Sequence, residues 1–273
     1  MNFWMRANMF FRSFFLQAGW NYVKYQNLGF AFVMLPFLQR LYKQDPGAFP
    51  TVLQRYLDTF NTHPVMSSFC YGAMAKQEEA IASTQSIAEY KEKVFEWTET
   101  RRALSITAAS IGDRLFWGTI KPLTLLIAVL LWILLGVNFF ETQNTYEPAS
   151  WVLWIAPIFI FTLYNALAWF VRWKGIKISY SADPSSCFGL TYFDWNKTIY
   201  WLKKIGVIFT ILMILFAIGS YLSTVEEFNL QFAVHTILIS FFVLFSFITH
   251  RLKIPNVYLY LTTVIIFTVV CLF

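Results

Sequence analysis

The alternation of apolar and polar positions changes character near residue 121. Beyond it lie five uncharged stretches, Pro122–Phe140, Trp151–Val171, Ile205–Leu222, Leu230–Thr249 and Ile254–Phe273. At 1.5 Å rise per residue each is long enough for the hydrocarbon core, which predicts five transmembrane helices. Before residue 121 the pattern is mixed. Residues 1–27 interleave Phe, Met and Trp with Arg6, Arg12 and Lys24, as an interfacial amphipathic helix does. The apolar run Leu28–Leu38 is too short to cross and contains Pro36, so it reads as a re-entrant or protein-covered segment. In Thr51–Phe60 the residues Val52, Leu53, Tyr56, Leu57 and Phe60 recur at helical spacing opposite Gln54, Arg55 and Asp58, predicting a surface helix. Val65–Ile81 reads as a less polar helix through Gly72. Ala82–Arg102, with Glu89, Lys91, Glu92, Lys93, Glu96 and Glu99, is the most water-like part and reads as a cytosolic helix. The expected fold is therefore an all-α polytopic membrane protein. Residues 1–121 form a cytosolic, interfacial and re-entrant helical region, and residues 122–273 a region of five spans.

Composition agrees: 58% of residues are hydrophobic and 13% charged, and the mean hydropathy is +0.53, far from a soluble domain. The net charge of +6 sits beside apolar spans and forms no long basic run, which excludes a nucleic-acid-binding face. Its distribution sets an orientation. The 141–150 loop has Glu141 and Glu147, and the 223–229 loop Glu226 and Glu227, with no Lys or Arg in either. The 172–204 loop holds Arg172, Lys174, Lys177, Lys197, Lys203 and Lys204, and the last turn Arg251 and Lys253. The positive-inside rule then places the N-terminus in the cytoplasm and Phe273 on the outer face. Cysteines at 70, 187 and 271 and the three histidines show no metal or disulfide spacing. No metal or other cofactor is expected. Arg6 and Arg12 interrupt the first apolar residues, and no small-residue cleavage site follows, which argues against a removable signal peptide.

Polar chemistry is concentrated between Phe60 and Thr119. Asn61, Thr62 and His63 offer an amide, a hydroxyl and an imidazole in succession, groups suited to sugar hydroxyls that both donate and accept. The same Asn-Thr-x-Pro sequence is also an ordinary helix-capping turn, in which Asn61 or Thr62 bonds free amides of the next helix. Both readings stand. Glu78-Glu79 suits either a proton relay or, in the absence of a partner, a solvated helix face. Asp113 lies nine residues before Pro122, and at membrane depth it would need Arg114, Arg101, Arg102 or Lys121, or a wet cavity. Asn165 and His235 suit interhelical hydrogen bonds. No phosphate loop, Ser/His/Asp arrangement or HExxH is present, so no catalytic residue is expected and an enzyme is disfavoured.

Taken together, the segments resemble the IID component of the mannose/fructose/sorbose family of the bacterial phosphotransferase system. The resemblance rests on Arg12-Ser13, Gln17, Trp20-Asn21-Tyr22, Gln26, Gly29-Phe30, Pro36 and Leu41-Tyr42. It continues through Phe60-Asn61-Thr62-His63-Pro64, Gly72 with Glu78-Glu79, Gly112-Asp113, Phe116-Trp117-Gly118-Thr119 and Pro122. Weaker similarity runs through Asn165, Arg172, Gly175 and Tyr180. The resemblance implies a transport subunit of the bacterial inner membrane that joins a IIC chain in a higher hetero-oligomer to conduct a hexose. Separate IIA and IIB domains would carry the phosphoryl group, and membrane lipid surrounds the assembly. On the family pattern, Gln17, Asn21, Asn61, Thr62, His63 and Asp113 are carried over as pathway-lining residues, with Glu78 and Arg101 in support.

Where the family has a Lys-x-Gly-Leu-Met-Gly-Pro-Leu-Ala-Gly run, this chain has Arg101-Arg102-Ala103-Leu104-Ser105-Ile106-Thr107-Ala108-Ala109-Ser110. Without Gly or Pro, that stretch is expected to stay helical. The competing function is a diverged, non-transporting membrane scaffold or regulatory subunit that keeps the assembly surface.

Overall fold

The computed structural model of the protein describes residues 1–135 and 151–224. The two C-terminal spans expected at 230–249 and 254–273, the 141–150 loop, most of the 223–229 loop, His235 and the Arg251–Lys253 turn lie outside the described residues. The chain forms two compact units, Met1–Met213 and Ile214–Phe273, and the packing below belongs to the first.

The described elements are helical, in keeping with the expected all-α class. Helix α1, Phe3–Arg12, starts where the Asn2 side chain accepts the Met5 N–H at 2.9 Å. It buries Met9 and Phe10 and leaves Phe3, Trp4 and Phe11 exposed, the amphipathic character read from its sequence. A single 3₁₀ turn, Ser13–Phe15, follows.

Helix α2, Asn27–Leu41, is covered by protein along a face that includes Phe30, Met34 and Leu38, and Pro36 lies inside it. Proline cannot donate to the carbonyl four residues back. Here that carbonyl, of Phe32, accepts the Arg12 guanidinium at 3.0 Å, so α1 satisfies the group that Pro36 leaves open. Helix α3 runs Phe49–Tyr56, with Pro50 in its first turn. It ends four residues before the expected Phe60, because Leu57–Phe60 turns back to pair with the segment before α2.

Helix α4, Ser67–Ala82, is mostly buried. Helix α5, Ile87–Gly112, passes unbroken through the Gly- and Pro-free stretch, as expected. It runs on through a π-helical segment, Asp113–Ile120, into α6, Lys121–Leu134. Pro122 opens α6 and cannot bond the Gly118 carbonyl, and the Thr119 hydroxyl donates to the Arg114 carbonyl at 2.7 Å, so the widened turn falls where the regular ladder is already interrupted. Helices α7, Val152–Ser181, and α8, Trp195–Thr224, complete the set. Among the described residues, three helical segments are long and apolar enough to cross a membrane: Ile87–Leu134, Val152–Ser181 and Trp195–Phe216.

Two pairs of small residues, in register along helices that run parallel here, let α4 and α7 cross closely. A β-carbon on Gly72 would stand 2.1 Å from the Ser179 Oγ, and one on Gly175 would stand 2.2 Å from the Ser68 Oγ. Ser68 and Gly72, like Gly175 and Ser179, are four residues apart and share a helix face, the arrangement that allows backbones to approach in a membrane. The crossing is fastened at its end, where the Lys76 ammonium donates to the Ala182 carbonyl at 2.9 Å and the Tyr180 hydroxyl to Glu79 at 2.6 Å. Beside it, Phe30 stacks on Phe60, centroids 4.1 Å apart, and on Tyr56 and Tyr71.

Candidate functional site

The turn between α3 and α4 is built by Gln26. Its side-chain amide donates to the Thr62 carbonyl and accepts from the Thr62 N–H, both at 2.9 Å. The Gln26 N–H bonds the Phe60 carbonyl at 2.8 Å. The turn's backbone is therefore held from outside itself.

Neither Asn61 nor Thr62 supplies a capping side-chain bond to α4. His63 holds the turn instead, its Nδ1 accepting the Val65 N–H at 3.3 Å and its carbonyl accepting the Ser67 N–H at 2.9 Å. With Nδ1 an acceptor, the neutral ring carries its proton on Nε2. That donor is buried and has no hydrogen-bond partner among the described residues, and the Thr62 hydroxyl is in the same condition. An unpaired buried polar group costs roughly 1–3 kcal/mol, so two adjacent ones mark a place suited to a polar guest. Asn61, next in the chain, is exposed.

His63 is only 2% exposed. It lies flat on Phe116, centroids 5.1 Å apart and planes inclined by 15°, with the Trp117 edge 5.0 Å away. Gly112 makes the room. Thus the turn meets the junction where α5 becomes the π segment, and Asp113 is the first residue of that segment. Asp113 is exposed and has no ion pair among the described residues. Burial, with a lesser contribution from the Arg172 charge, lowers the His63 pKa to about 4. The ring is therefore a neutral donor at physiological pH. Arg172 itself is buried and bonds the Ser13 carbonyl at 2.8 Å and hydroxyl at 3.0 Å, with no carboxylate partner among the described residues.

The other expected site residues have different surroundings. Asn21 shapes its own loop: its Oδ1 accepts the Val23 and Lys24 N–H groups, and its amide donates to Asn27 Oδ1 at 2.9 Å. That loop touches the turn, since the Phe60 N–H bonds the Lys24 carbonyl at 3.3 Å. Gln17 is exposed in the turn after the 3₁₀ segment, and no described side-chain contact brings it to His63.

Glu78 does not lie on a solvated face. It is fully buried, accepts from the Tyr42 hydroxyl at 2.7 Å and the Tyr56 hydroxyl at 2.8 Å, and pairs with Arg55. These partners lie at the C-terminal end of α2 and in α3, so the carboxylate, itself on α4, ties three helices together. Burial of each tyrosine, and after it the Glu78 charge, pushes both tyrosine pKa values upward, keeping the hydroxyls protonated as donors. Arg101 is likewise buried, donating to the Arg55 carbonyl at 3.1 Å and pairing with Asp58 at 3.4 Å, and the Arg55 and Arg101 guanidinium groups each lie over the Trp97 ring, 5.0 and 5.1 Å from its centroid. Asn165 bonds the Phe161 carbonyl of its own helix at 2.8 Å rather than a neighbouring helix. Among the described residues, no group of three His, Cys, Asp or Glu side chains is placed to hold a metal.

Reading of residue types passed over Gln26 as the brace of the turn, Phe116 and Trp117 as the histidine's aromatic seat, and Arg172 as a buried cation. The spacing of Phe116 four residues after Gly112 was the available signal, since the two share one helical face.

The described unit is thus a helical membrane fold packed through small residues, with an imidazole and a hydroxyl left unpaired beside a π segment among the described residues. The family model described as the phosphotransferase-system mannose/fructose/sorbose family IID component matches residues 4–136, just under half of this chain. The fructose permease IID component of Bacillus subtilis (strain 168) is 32% identical over 174 residues, 63% of this chain and 54% of that protein. The mannose-specific EIID component of Escherichia coli (strain K12) is 28% identical over 173 residues, 63% of this chain and 53% of that one. The sorbose-specific EIID component of Klebsiella pneumoniae is 28% identical over 176 residues, 64% of this chain and 55% of that one. The match spans about half the length of these relatives. In fold, the chain is similar to one in the cryo-EM structure of the mannose transporter ManYZ in complex with microcin E492, with a TM-score of 0.55 at 20% identity over 98% of this chain and 96% of that one.

Proposed function

We propose that this chain is the IID half of a sugar-conducting phosphotransferase permease in the bacterial cytoplasmic membrane, working with a IIC chain. The observation that carries the proposal is the pair of groups buried and unpartnered among the described residues, His63 Nε2–H and Thr62 Oγ1, in a chain whose residues 4–136 match this family. A hydroxylated hexose of the mannose, fructose or sorbose type suits both, because each sugar hydroxyl donates and accepts. Asn61, Thr62, His63 and Asp113 line the pathway in this reading. Asn21 and Gln17 border it, and Glu78 and Arg101 hold the scaffold. Phosphoryl transfer belongs to IIA and IIB partners, and this chain does no covalent chemistry. The N-terminus faces the cytoplasm and Phe273 the outer side, with residues 1–121 at the cytosolic interface and residues 122–273 spanning.

One observation favours a second reading, a non-transporting scaffold. Helix α5 runs unbroken where the family's glycines and proline would allow a bend. Uptake of labelled mannose, fructose and sorbose by cells supplied with IIA and IIB distinguishes the two. Sugar phosphate should accumulate only when this chain and a IIC chain are expressed together. If the chain assembles with IIC at normal abundance and none of these sugars enters, the scaffold reading holds.

A further inference from the structure

A cavity of about 570 Å³ opens between the start of α1 and the end of α2, at the edge of the membrane region. Its lining includes Asn2, Met5, Phe37, Arg40, Lys43 and Glu79. Arg40 and Lys43 are exposed and have no carboxylate partner among the described residues. The one acid, Glu79, is engaged by the Tyr180 hydroxyl at 2.6 Å. Arg40 alone would be explained as a cation favoured in the last turn of α2. That explanation covers neither Lys43, which lies beyond the helix, nor the cavity between them.

The depth of the cavity follows from α7. Phe3 and Phe10 of α1 pack edge-on against Trp173, centroids 5.5 Å away in each case, and Phe14 packs against Trp169 at 6.1 Å. Trp169 and Trp173 stand beside Lys174 and Lys177, a tryptophan-and-lysine belt of the kind that marks the membrane–water boundary. Asn2 and Met5 flank Phe3, and Glu79 reaches Tyr180, two turns beyond Trp173. The cavity therefore lies between the level of the tryptophans and the C-terminal end of α7, where phosphate headgroups sit. On the neighbouring surface, Trp4 is 78% and Phe11 65% exposed, an aromatic face suited to acyl chains.

We propose that this cavity is a binding site for the headgroup of an anionic phospholipid, with Arg40 and Lys43 on its phosphate. The volume lies within the range of small-ligand sites, and the two free cations supply the charge complement. The lipid would fasten α1 to α2 from the membrane side, opposite the bond that joins Arg12 to the Phe32 carbonyl.

The test uses the full chain, purified with any membrane partner it brings, in micelles doped equally with phosphatidylglycerol and phosphatidylcholine. Bound lipid is counted by native mass spectrometry, and thermal unfolding confirms that each variant is folded. The wild type should retain phosphatidylglycerol in preference to phosphatidylcholine. The Arg40→Gln/Lys43→Gln variant should lose that retention on the order of tenfold, and the Lys91→Gln/Lys177→Gln control should keep it. Glu79→Gln, which removes the acid from the lining, should retain phosphatidylglycerol at least as well as the wild type. Equal retention of the two lipids, equal behaviour of the two double variants, or displacement of phosphatidylglycerol by inorganic phosphate would overturn the proposal.

Discussion

Gly112 and His63 occupy one space: a β-carbon on Gly112 would stand 2.3 Å from the His63 Cβ and 2.4 Å from its Cγ. Alanine improves an ordinary helix by up to about 1 kcal/mol over glycine. Here the collision is with the root of a buried ring that Phe116 also confines, so relief requires moving the turn. Overpacking of this kind costs about 1–3 kcal/mol. Gly112→Ala should therefore lower thermal stability and sugar uptake together, measured by unfolding in detergent and transport in cells. Unchanged values for both would mean that the histidine is not seated as described.

The buried carboxylate of Glu78 makes a separate prediction. Glu78→Gln keeps the shape but leaves the partly buried Arg55 guanidinium without its counter-charge and replaces one of the two oxygens, which accept separately from Tyr42 and Tyr56, with an NH2 donor. Breaking a buried pair from one side costs roughly 3–5 kcal/mol. Membrane abundance should fall sharply while the affinity of any protein that remains is unaltered. A stable variant with altered sugar affinity would place Glu78 in the pathway instead.

At the α4–α7 crossing, two alanine substitutions should respond differently to relief. Gly175→Ala meets the Ser68 side chain, so Ser68→Gly should restore part of the lost stability, a coupling of at least about 0.5 kcal/mol. Gly72→Ala meets the Ile176 carbonyl at 2.3 Å as well as the Ser179 hydroxyl. Backbone cannot be trimmed, so Ser179→Gly should not rescue it. Thermal unfolding of the four single and two double variants reads both couplings, and rescue of Gly72→Ala would contradict this geometry.

The pH dependence of His63 has a definite sign. Its folded pKa, about 4, lies below the ordinary value of about 6.5, so between these values the unfolded chain binds the extra proton. The neutral ring's contribution is complete above pH about 6.5 and is lost as pH falls toward 4, at a slope of at most about 1.4 kcal/mol per pH unit. Comparing His63→Gln with the wild type by thermal unfolding from pH 7 to pH 4 checks this: the wild type should lose more. Equal slopes would show that His63 is not held neutral.

Much of this arrangement was legible where the deciding contacts are local or periodic. The amphipathic α1, the protein-covered α2 with Pro36, and the unbroken α5 all follow from spacing and residue type. Glu78 was misread because its partners Tyr42, Arg55 and Tyr56 lie 22 to 36 residues away, and two adjacent carboxylates on a helix look solvated until those residues are brought to them. The capping role fell to His63 rather than Asn61 because Gln26, on a distant segment, takes both backbone groups of Thr62. The π segment has no residue-type signature of its own, whereas the four-residue spacing of Ser68 and Gly72, and of Gly175 and Ser179, was available as a sign of close helix packing.

The central claim is that Asn61 and Asp113 line a sugar pathway with His63. Both are exposed, and neither makes a structural side-chain bond among the described residues, so Asn61→Ser and Asp113→Asn should leave the fold intact. The deciding measurement is sugar uptake divided by membrane abundance for each variant, with a IIC chain and the phosphocarrier partners present. Losing one pathway hydrogen bond costs roughly 1–3 kcal/mol, or about five- to a hundredfold in affinity. The predicted result is normal abundance with uptake reduced by that factor in both variants; wild-type uptake at wild-type abundance in both would contradict the pathway.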